Sequence, residues 1–363
     1  MTTYLLAGGG TAGHVNPMLA VADGLKAREP DAEVLILGTA EGLESRLVPE
    51  RGYELLIVPK VPFPRRPNGD AVAFPARFSR AVKLVRSYLR DRGVDVVLGV
   101  GGYASAPAYV AARRERIPAV VHEANARPGL ANVLGALSAV AVGVAFDGTR
   151  IRRGEVVGMP LRPELVSLDR AALRQEAARE FGLDPDKPVL LAFGGSLGAR
   201  RINETLAGSW RDVLDAGWQL LHITGDKNEL ADPGVPGYAL RRYVSRMDLA
   251  FSLADLVISR AGASTVSEIS ALSIPAIYVP YPVGNGEQKL NAAAAVAAGA
   301  ALLVDDAEFT PDRMRRDVVS LLGDRDAIAR MTAAAEGTGT RFGTENVIAH
   351  LDRALDAREE TSS

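Results

Sequence analysis

The sequence predicts an α/β protein of two doubly wound domains on parallel sheets, and three observations predict it. Short, continuous apolar runs alternate with longer amphipathic stretches. Two of those runs lead into glycine-rich turns. A segment broken by two prolines falls between the halves. Apolar runs of this kind, without polar alternation, suit strands covered on both faces. Their alternation with helical stretches suits βαβ units.

Taken in order, Tyr4–Ala7 is the first strand, followed by Gly8-Gly9-Gly10-Thr11-Ala12-Gly13 and a helix. Glu33–Leu37, Leu55–Val58, Val94–Val100 and Ala119–His122 continue the first sheet. Gly158-Met159-Pro160-Leu161-Arg162-Pro163 then interrupts regular structure and divides a domain of 1–160 from one of 161–340. The second half echoes the first: Val189–Phe193 leads into Gly194-Gly195-Ser196-Leu197-Gly198 and a helix. Gln219–Thr224, Leu256–Ser259 and Ala276–Val279 complete the second set of strands. A cleft between two such domains is a usual ligand site.

Composition sets the outer limits. The 363 residues are 47% hydrophobic, enough for two ordinary cores. A net charge of −2 argues against a protein dominated by nucleic-acid electrostatics. With no cysteine, disulfides, cysteine-ligated metals and thiol catalysis are excluded. The N-terminus has no basic, apolar leader, and no apolar run reaches the roughly 18 residues of a membrane span.

The glycine loops carry the first chemical signal. A strand-to-helix turn without side chains lets a ligand approach free N–H donors at the helix start. A tight turn that needs glycine only for its backbone angles reads the same way. Two such loops in mirrored positions favour ligand binding. Gly8, Gly10 and Gly13 also fit G-x-G-x-x-G, so a nicotinamide-dependent oxidoreductase has to be weighed. That reading needs an acidic residue at the tip of the second strand. The strand ends Leu37-Gly38-Thr39, with Glu41 already beyond it.

Two further segments follow later strands. Arg260 to Glu268 contains Thr265-x-x-Glu268, which reads as a capping box at a helix start. The alternative is that Glu268 accepts hydrogen bonds from a ribose diol. From spacing alone the cap is favoured. Pro280 to Asn291 is a polar, glycine-containing loop whose Gln288 and Asn291 suit either sugar hydroxyls or solvent.

In their order along the chain these segments resemble the MurG family of glycosyltransferases, which complete the lipid-linked peptidoglycan precursor. The resemblance rests on Gly9 to Val15, His122 to Gly129, Gly158 to Arg162, Gly194 to Ala199, Arg260 to Glu268 and Asn285 to Asn291. It implies a GT-B fold: two Rossmann-like domains whose parallel sheets face across a cleft, with the sugar nucleotide held by the second. It also implies a C-terminal helix, about 341–358, packed back on the first domain. By motif position, Thr11, Ala12, Gly13 and Asn125 would border the donor sugar, and Gln288 would hold it. Arg162 and Ser196 would sit near the diphosphate. The backbone of Val244 would face uracil. Ala263, Ser264, Thr265, Val266 and Ser267 would line the diphosphate, and Glu268 would take the ribose hydroxyls. Ala12, Met159 and Leu197 depart from the family's usual glycine, asparagine and glutamine.

The implied reaction carries GlcNAc from UDP-GlcNAc to the 4-hydroxyl of the muramoyl sugar of lipid I, with inversion, giving lipid II. His14 is the expected base and Glu123 the second candidate; His122 reads as a structural strand-end residue. No D-x-D-like pair sits at a suitable loop, so neither metal nor other cofactor is expected. The lipid acceptor calls for a membrane-facing surface. Phe74, Phe78, Val82, Val85 and Leu89 recur at helical spacing. Around them lie Arg65, Arg66, Arg77, Arg80, Lys83, Arg86, Arg90 and Arg92, against Asp70 and Asp91. Phe74, Arg77 and Phe78 are the residues expected at an anionic bilayer, on the inner face of the cell membrane of a cytoplasmic enzyme. The bland alternative is a stripe that faces the core. Three competing readings stay open: a related GT-B enzyme with another acceptor, the oxidoreductase, and a catalytically dead sugar-nucleotide-binding module.

Overall fold

In a computed structural model the chain is described over residues 1–64, 69–195, 199–226, 230–282 and 286–362. It divides into two compact units: Met1–Arg162 together with the stretch from Arg341, and Pro163–Thr340.

The first unit is a parallel sheet of β1 (Thr3–Ala7), β2 (Glu33–Gly38), β3 (Glu54–Ile57), β4 (Val96–Gly99), β5 (Ala119–Glu123), β6 (Ala141–Val144) and β7 (Gly154–Val156). Their order in the sheet is β3-β2-β1-β4-β5-β6-β7. Register is set along β1, where Leu5 pairs with Leu35 on one side and Val97 on the other. Side chains alternate between faces, as strand geometry requires. Leu5 and Ala7 pack with Val82, Val85 and Leu89 of α3 (Gly69–Asp91) and with Tyr109 of α4 (Ser105–Glu115). Tyr4 and Leu6 pack on the other face with Val15 and Met18 of α1 (Ala12–Arg28). Both faces are therefore core, which is why these strands read as continuous apolar runs. Two shorter helices, α2 (Glu44–Glu50) and α5 (Leu130–Gly135), matter for the site described below.

The second unit is a parallel sheet of β8 (Val189–Phe193), β9 (Gln219–Ile223), β10 (Tyr238–Arg241), β11 (Ala254–Ser259), β12 (Ala276–Tyr278) and β13 (Ala301–Leu303), ordered β10-β9-β8-β11-β12-β13. Its site-bearing helices are α6 (Arg200–Ala207), α7 (Met247–Leu253), α8 (Ala263–Ala271) and α9 (Glu287–Asn291). The two parallel α/β sheets agree with the fold class read from the sequence.

Four strands escaped that reading: β6, β7, β10 and β13. β7 is a three-residue, fully exposed edge strand, and β13 is three residues after an alanine-rich stretch. β6 carries Gly143, and β10 ends in Leu240-Arg241 after Gly234 and Gly237. None offers the long apolar run that marks a central strand.

The last helix, α10 (Gly343–Ser362), completes the first unit. Val347, Ile348, Leu351 and Ala354 join the cluster around Tyr4 and Leu6. Asn346 donates to the Val157 carbonyl at 2.9 Å, and Arg358 pairs with Asp95 at 2.9 Å. Gly24 on α1 makes the approach possible, since a Cβ there would lie 2.7 Å from Thr344 Cγ2.

Candidate active site

In the first unit the strand order reverses between β1 and β4, and the loops after β1, β4 and β5 meet at that switch point. Glycines let the loops touch. A Cβ on Gly102 would lie 2.5 Å from the Gly9 carbonyl oxygen, and one on Gly101 would lie 3.0 Å from His14 Nε2. Gly9 and Gly10 adopt φ of +145° and +91°, which glycine alone tolerates readily.

The loop's hydrogen bonds revise its sequence reading. The Gly10 N–H donates to Glu44 Oε2 at 2.7 Å, so an internal carboxylate takes a donor that the sequence left open to a ligand. Glu44, the first residue of α2, is fully buried. Its Oε1 accepts from the Thr39 N–H at 2.9 Å and from the Thr39 hydroxyl at 2.8 Å. Burial raises the Glu44 pKa, but these hydrogen bonds outweigh it and hold the group below its ordinary 4.5. A carboxylate thus does stand at the β2 tip, supplied from α2 and turned inward onto Thr39 and Gly10. Sequence reasoning missed Glu44. The available signal was the glycines at 9, 38 and 42, each of which leaves room for it: a Cβ at any of them would lie within 2.5 Å of its side chain.

His14 sits in the first turn of α1, half-buried. Its Nδ1 lies 3.2 Å from the Gly9 carbonyl and 3.4 Å from Thr11 Oγ1. A carbonyl only accepts, so Nδ1 carries the proton and Nε2 keeps a lone pair, the form a general base requires. Burial lowers the His14 pKa; Glu123, the Gly9 carbonyl and Glu44 act against that shift. Thr11 is the N-cap of α1, exposed, with Ala12 and Gly13 following in the first turn.

Glu123, the other base candidate, is buried and occupied. Oε1 accepts from the Asn125 N–H at 2.9 Å. Oε2 accepts from the Gly129 N–H and from Asn132 Nδ2, each at 2.9 Å. It holds the loop from β5 to α5 in shape and so sets Asn125, which is half-buried beside it. Asn132 is a second residue the sequence reading missed: it also accepts from the Tyr109 hydroxyl at 2.8 Å, tying α5 to α4. His122 donates Nε2–H to the Gly158 carbonyl at 2.9 Å, and burial pushes its pKa down to about 4. It stays neutral and structural. Met159 is buried in the segment that follows, and Arg162 is half-buried at the end of the unit.

In the second unit the switch point falls between β8 and β11. Ser196 lies outside the described residues. α8 begins at Gly262, whose backbone is extended and whose position is the N-cap. The expected Thr265/Glu268 capping box is therefore absent: Thr265 already lies in the first turn, and Glu268 lies a turn further on, half-buried. A small N-cap exposes the first N–H groups of the helix. Ala263 and Val266 are buried, while Ser264, Thr265 and Ser267 are half-buried. The Ser264 hydroxyl is enclosed yet finds no hydrogen-bond partner among the described residues.

The neighbouring loops are fixed by their own polar groups. Arg260 pairs with Asp306 at 2.5 Å and donates to the Val279 carbonyl at 2.9 Å, joining the β11 and β12 tips. Gln288 Oε1 accepts from the Tyr281 N–H at 2.9 Å, which turns its amide NH2 away from that backbone. Asn291 is buried and donates to the Ala261 carbonyl, which makes it a strut. Val244 lies half-buried between β10 and α7, and its backbone bonds to no other described residue. His222, on β9, accepts from the Tyr238 hydroxyl and donates to Asn203 Oδ1, both at 3.0 Å. Asn203 in turn donates to the Thr224 carbonyl at 2.9 Å, which ties α6 to the β9 tip.

On α3 the apolar stripe divides. Val82, Val85 and Leu89 are core. Phe74 and Phe78 are half-buried, stacked on each other at 5.4 Å and in contact with Phe63. Acids neutralise much of the basic stripe: Arg86 and Arg90 on Glu115, Arg92 on Glu33 and Glu54, Arg77 on Asp70. Arg80 and Lys83 form no ion pair with another described residue. Arg65 and Arg66 lie outside the described residues.

Comparison with known proteins agrees across the chain. Residues 4–144 match the glycosyltransferase family 28 N-terminal domain, and residues 189–347 match the family 28 C-terminal domain. A protein of Clavibacter sepedonicus named UDP-N-acetylglucosamine–N-acetylmuramyl-(pentapeptide) pyrophosphoryl-undecaprenol N-acetylglucosamine transferase is 60% identical, over 99% of this chain and 98% of its own. A protein of the same name from Leifsonia xyli subsp. xyli is 57% identical over 98% of this chain and all of its own. The crystal structure of Acinetobacter baumannii MurG aligns with a TM-score of 0.80 and 28% identity, over 97% of this chain and all of that one.

Proposed function

The chain belongs to glycosyltransferase family 28, and from that premise we propose that it transfers GlcNAc from UDP-GlcNAc to the 4-hydroxyl of MurNAc in lipid I, forming lipid II. The observation that carries this is the identity of 60% over 99% of the chain with an enzyme named for that reaction.

The chemistry follows as a single displacement. His14 Nε2 takes the proton of the acceptor 4-hydroxyl, whose oxygen forms the new bond to the anomeric carbon. The bond from that carbon to the diphosphate breaks, and the electron pair leaves with UDP. The first turn of α8 receives the developing negative charge through its N–H groups. The Ser264 hydroxyl, enclosed with no hydrogen-bond partner among the described residues, supports a diphosphate there, with Thr265 and Ser267 beside it. Glu268 takes the ribose diol, and the backbone of Val244, bonded to no other described residue, suits the donor and acceptor edge of uracil. By motif position the Gln288 amide, Asn125 and the Thr11–Gly13 turn would border the sugar, and Arg162 would lie near the diphosphate. Glu123 shapes the loop rather than moving the proton, because three donors already occupy it.

We extend the proposal to the membrane. Among the described residues no helix is long and apolar enough to cross one. A lipid acceptor lies in a bilayer, and Phe74, Arg77 and Phe78 would meet its inner face. The half-buried aromatics support that reading, as do Arg80 and Lys83, which form no ion pair with another described residue.

The test incubates the purified chain with UDP-GlcNAc and a short-chain lipid I analogue, following UDP release and the disaccharide product. A folded sample that releases no UDP and makes no disaccharide would sink the assignment.

A further inference from the structure

The peptide group between Gly9 and Gly10 is engaged at both ends. Its N–H donates to Glu44 Oε2 at 2.7 Å, and its carbonyl faces His14 Nδ1 at 3.2 Å. A trans peptide holds its N–H and C=O antiparallel in one rigid plane. We propose that Glu44 is a positioning residue for His14 and acts through this one peptide group, as a carboxylate–histidine pair with a peptide inserted between the partners. The inference rests on the reading of His14 as the base.

The arrangement is built at some cost to the fold. Glu44 is wholly buried, and no cation pairs with it among the described residues. Burying a carboxylate without a counter-ion is unfavourable unless hydrogen bonds replace water. Here the Thr39 N–H and hydroxyl hold one oxygen, and the Gly10 N–H holds the other. A glutamine would fill the same volume without the charge. A Cβ at Gly9 would lie 2.3 Å from Oε1 and one at Gly42 would lie 2.0 Å from Oε2, so neighbouring backbone is kept bare to admit the side chain.

The physical consequence runs outward from the carboxylate. A negative charge on the N–H end polarises the peptide and makes its carbonyl a stronger acceptor. That carbonyl fixes the proton on Nδ1, turns the ring, and leaves Nε2 free. It also steadies the imidazolium that forms when Nε2 takes a proton, the role a directly bonded carboxylate plays in hydrolytic triads. Among the described residues the ionisable groups that act on His14 are Glu44 from α2, Glu123 from β5 and His122 beside it. Glu44 is the one linked to the ring through a single hydrogen-bonded path.

Two experiments test this. The first needs no variant: ¹⁵N NMR of histidine-labelled protein without substrate, with the His14 signals assigned by their loss in His14→Ala. The expected result is neutral His14 protonated at Nδ1; a proton on Nε2 would overturn the proposal. The second is Glu44→Gln, which removes the charge and sets an NH2 against either the Gly10 or the Thr39 N–H. The expected effect is a fall in kcat of at least about tenfold, short of the roughly 10⁴-fold seen when a directly bonded carboxylate is neutralised. KM for UDP-GlcNAc should stay within about threefold. The His14 titration, and with it the acid limb of the kcat profile, should move to lower pH. A folded Glu44→Gln protein with an unchanged His14 titration overturns the proposal. If His14→Ala retains turnover, the base reading fails. The tautomer and the titration shift, both read without substrate, still decide whether Glu44 governs His14.

Discussion

His222 is the sole histidine between residues 163 and 340, which makes the acid sensitivity of the second unit a clean test of the burial described above. Its ring is buried, and burial pushes its pKa from 6.5 down to about 4. The folded value lies below the unfolded one, so protons bind preferentially to the unfolded chain. The stabilisation is complete above 6.5 and is lost as pH falls from there toward 4. Linkage with these two values gives a loss of about 2 kcal/mol at about pH 5 and almost none at about pH 7.5. The perturbation is His222→Gln, which removes the titrating group and also weakens the tie from β9 to α6. The variant will be less stable at both pH values. The decisive quantity is its deficit relative to the parent chain, measured by denaturant unfolding of the full chain with a probe in this unit, such as Trp210 or Trp218 fluorescence. That deficit should shrink by about 2 kcal/mol on going from about pH 7.5 to about pH 5. A deficit that stays constant within about 0.5 kcal/mol would refute the reasoning, because His222 would then titrate alike in both states.

The remaining expectations concern the site and its supports. His14→Ala should lower kcat by about 10² to 10⁴-fold while leaving the dissociation constant for UDP-GlcNAc within about threefold, compared by single-turnover kinetics and equilibrium titration. Glu268→Ala should weaken UDP binding by about 1.5–3 kcal/mol in calorimetry, the range for hydrogen bonds to a charged group; unchanged affinity would return Glu268 to a structural role. Phe74→Ser with Phe78→Ser and Arg77→Glu should reduce flotation with anionic liposomes, and unchanged flotation would remove these residues from the membrane face. Leu351→Ala, deep in the contact of α10 with the first sheet, should cost about 2–5 kcal/mol in unfolding of that unit.

Central strands were legible because burial on both faces leaves a continuous apolar run, as in Tyr4–Ala7 and Val189–Phe193. Edge strands were not: β7 is exposed and three residues long, so neither burial nor length marks it. The glycine turns were legible as turns, but not their contents. Glu44 lies 34 residues from Gly10, and only the β1–β2 pairing brings them together. Thr265-x-x-Glu268 shows the opposite failure. The local pattern was real, but Gly262 ends the preceding loop early and starts the helix before the threonine. His14 could be singled out from its place after a glycine loop. Its tautomer could not, since that depends on which way one carbonyl points.

The helix at 343–362 leaves a mark on the order of folding. The first unit lacks one wall of its core until a segment encoded after the entire second unit has been made. Synthesis runs from the N-terminus, so the second unit, one unbroken stretch, can close while the first still exposes the faces of Tyr4, Leu6 and Met18. The domain that begins the chain is thus the one finished last, and its apolar surface stays uncovered for longer than its position in the chain suggests.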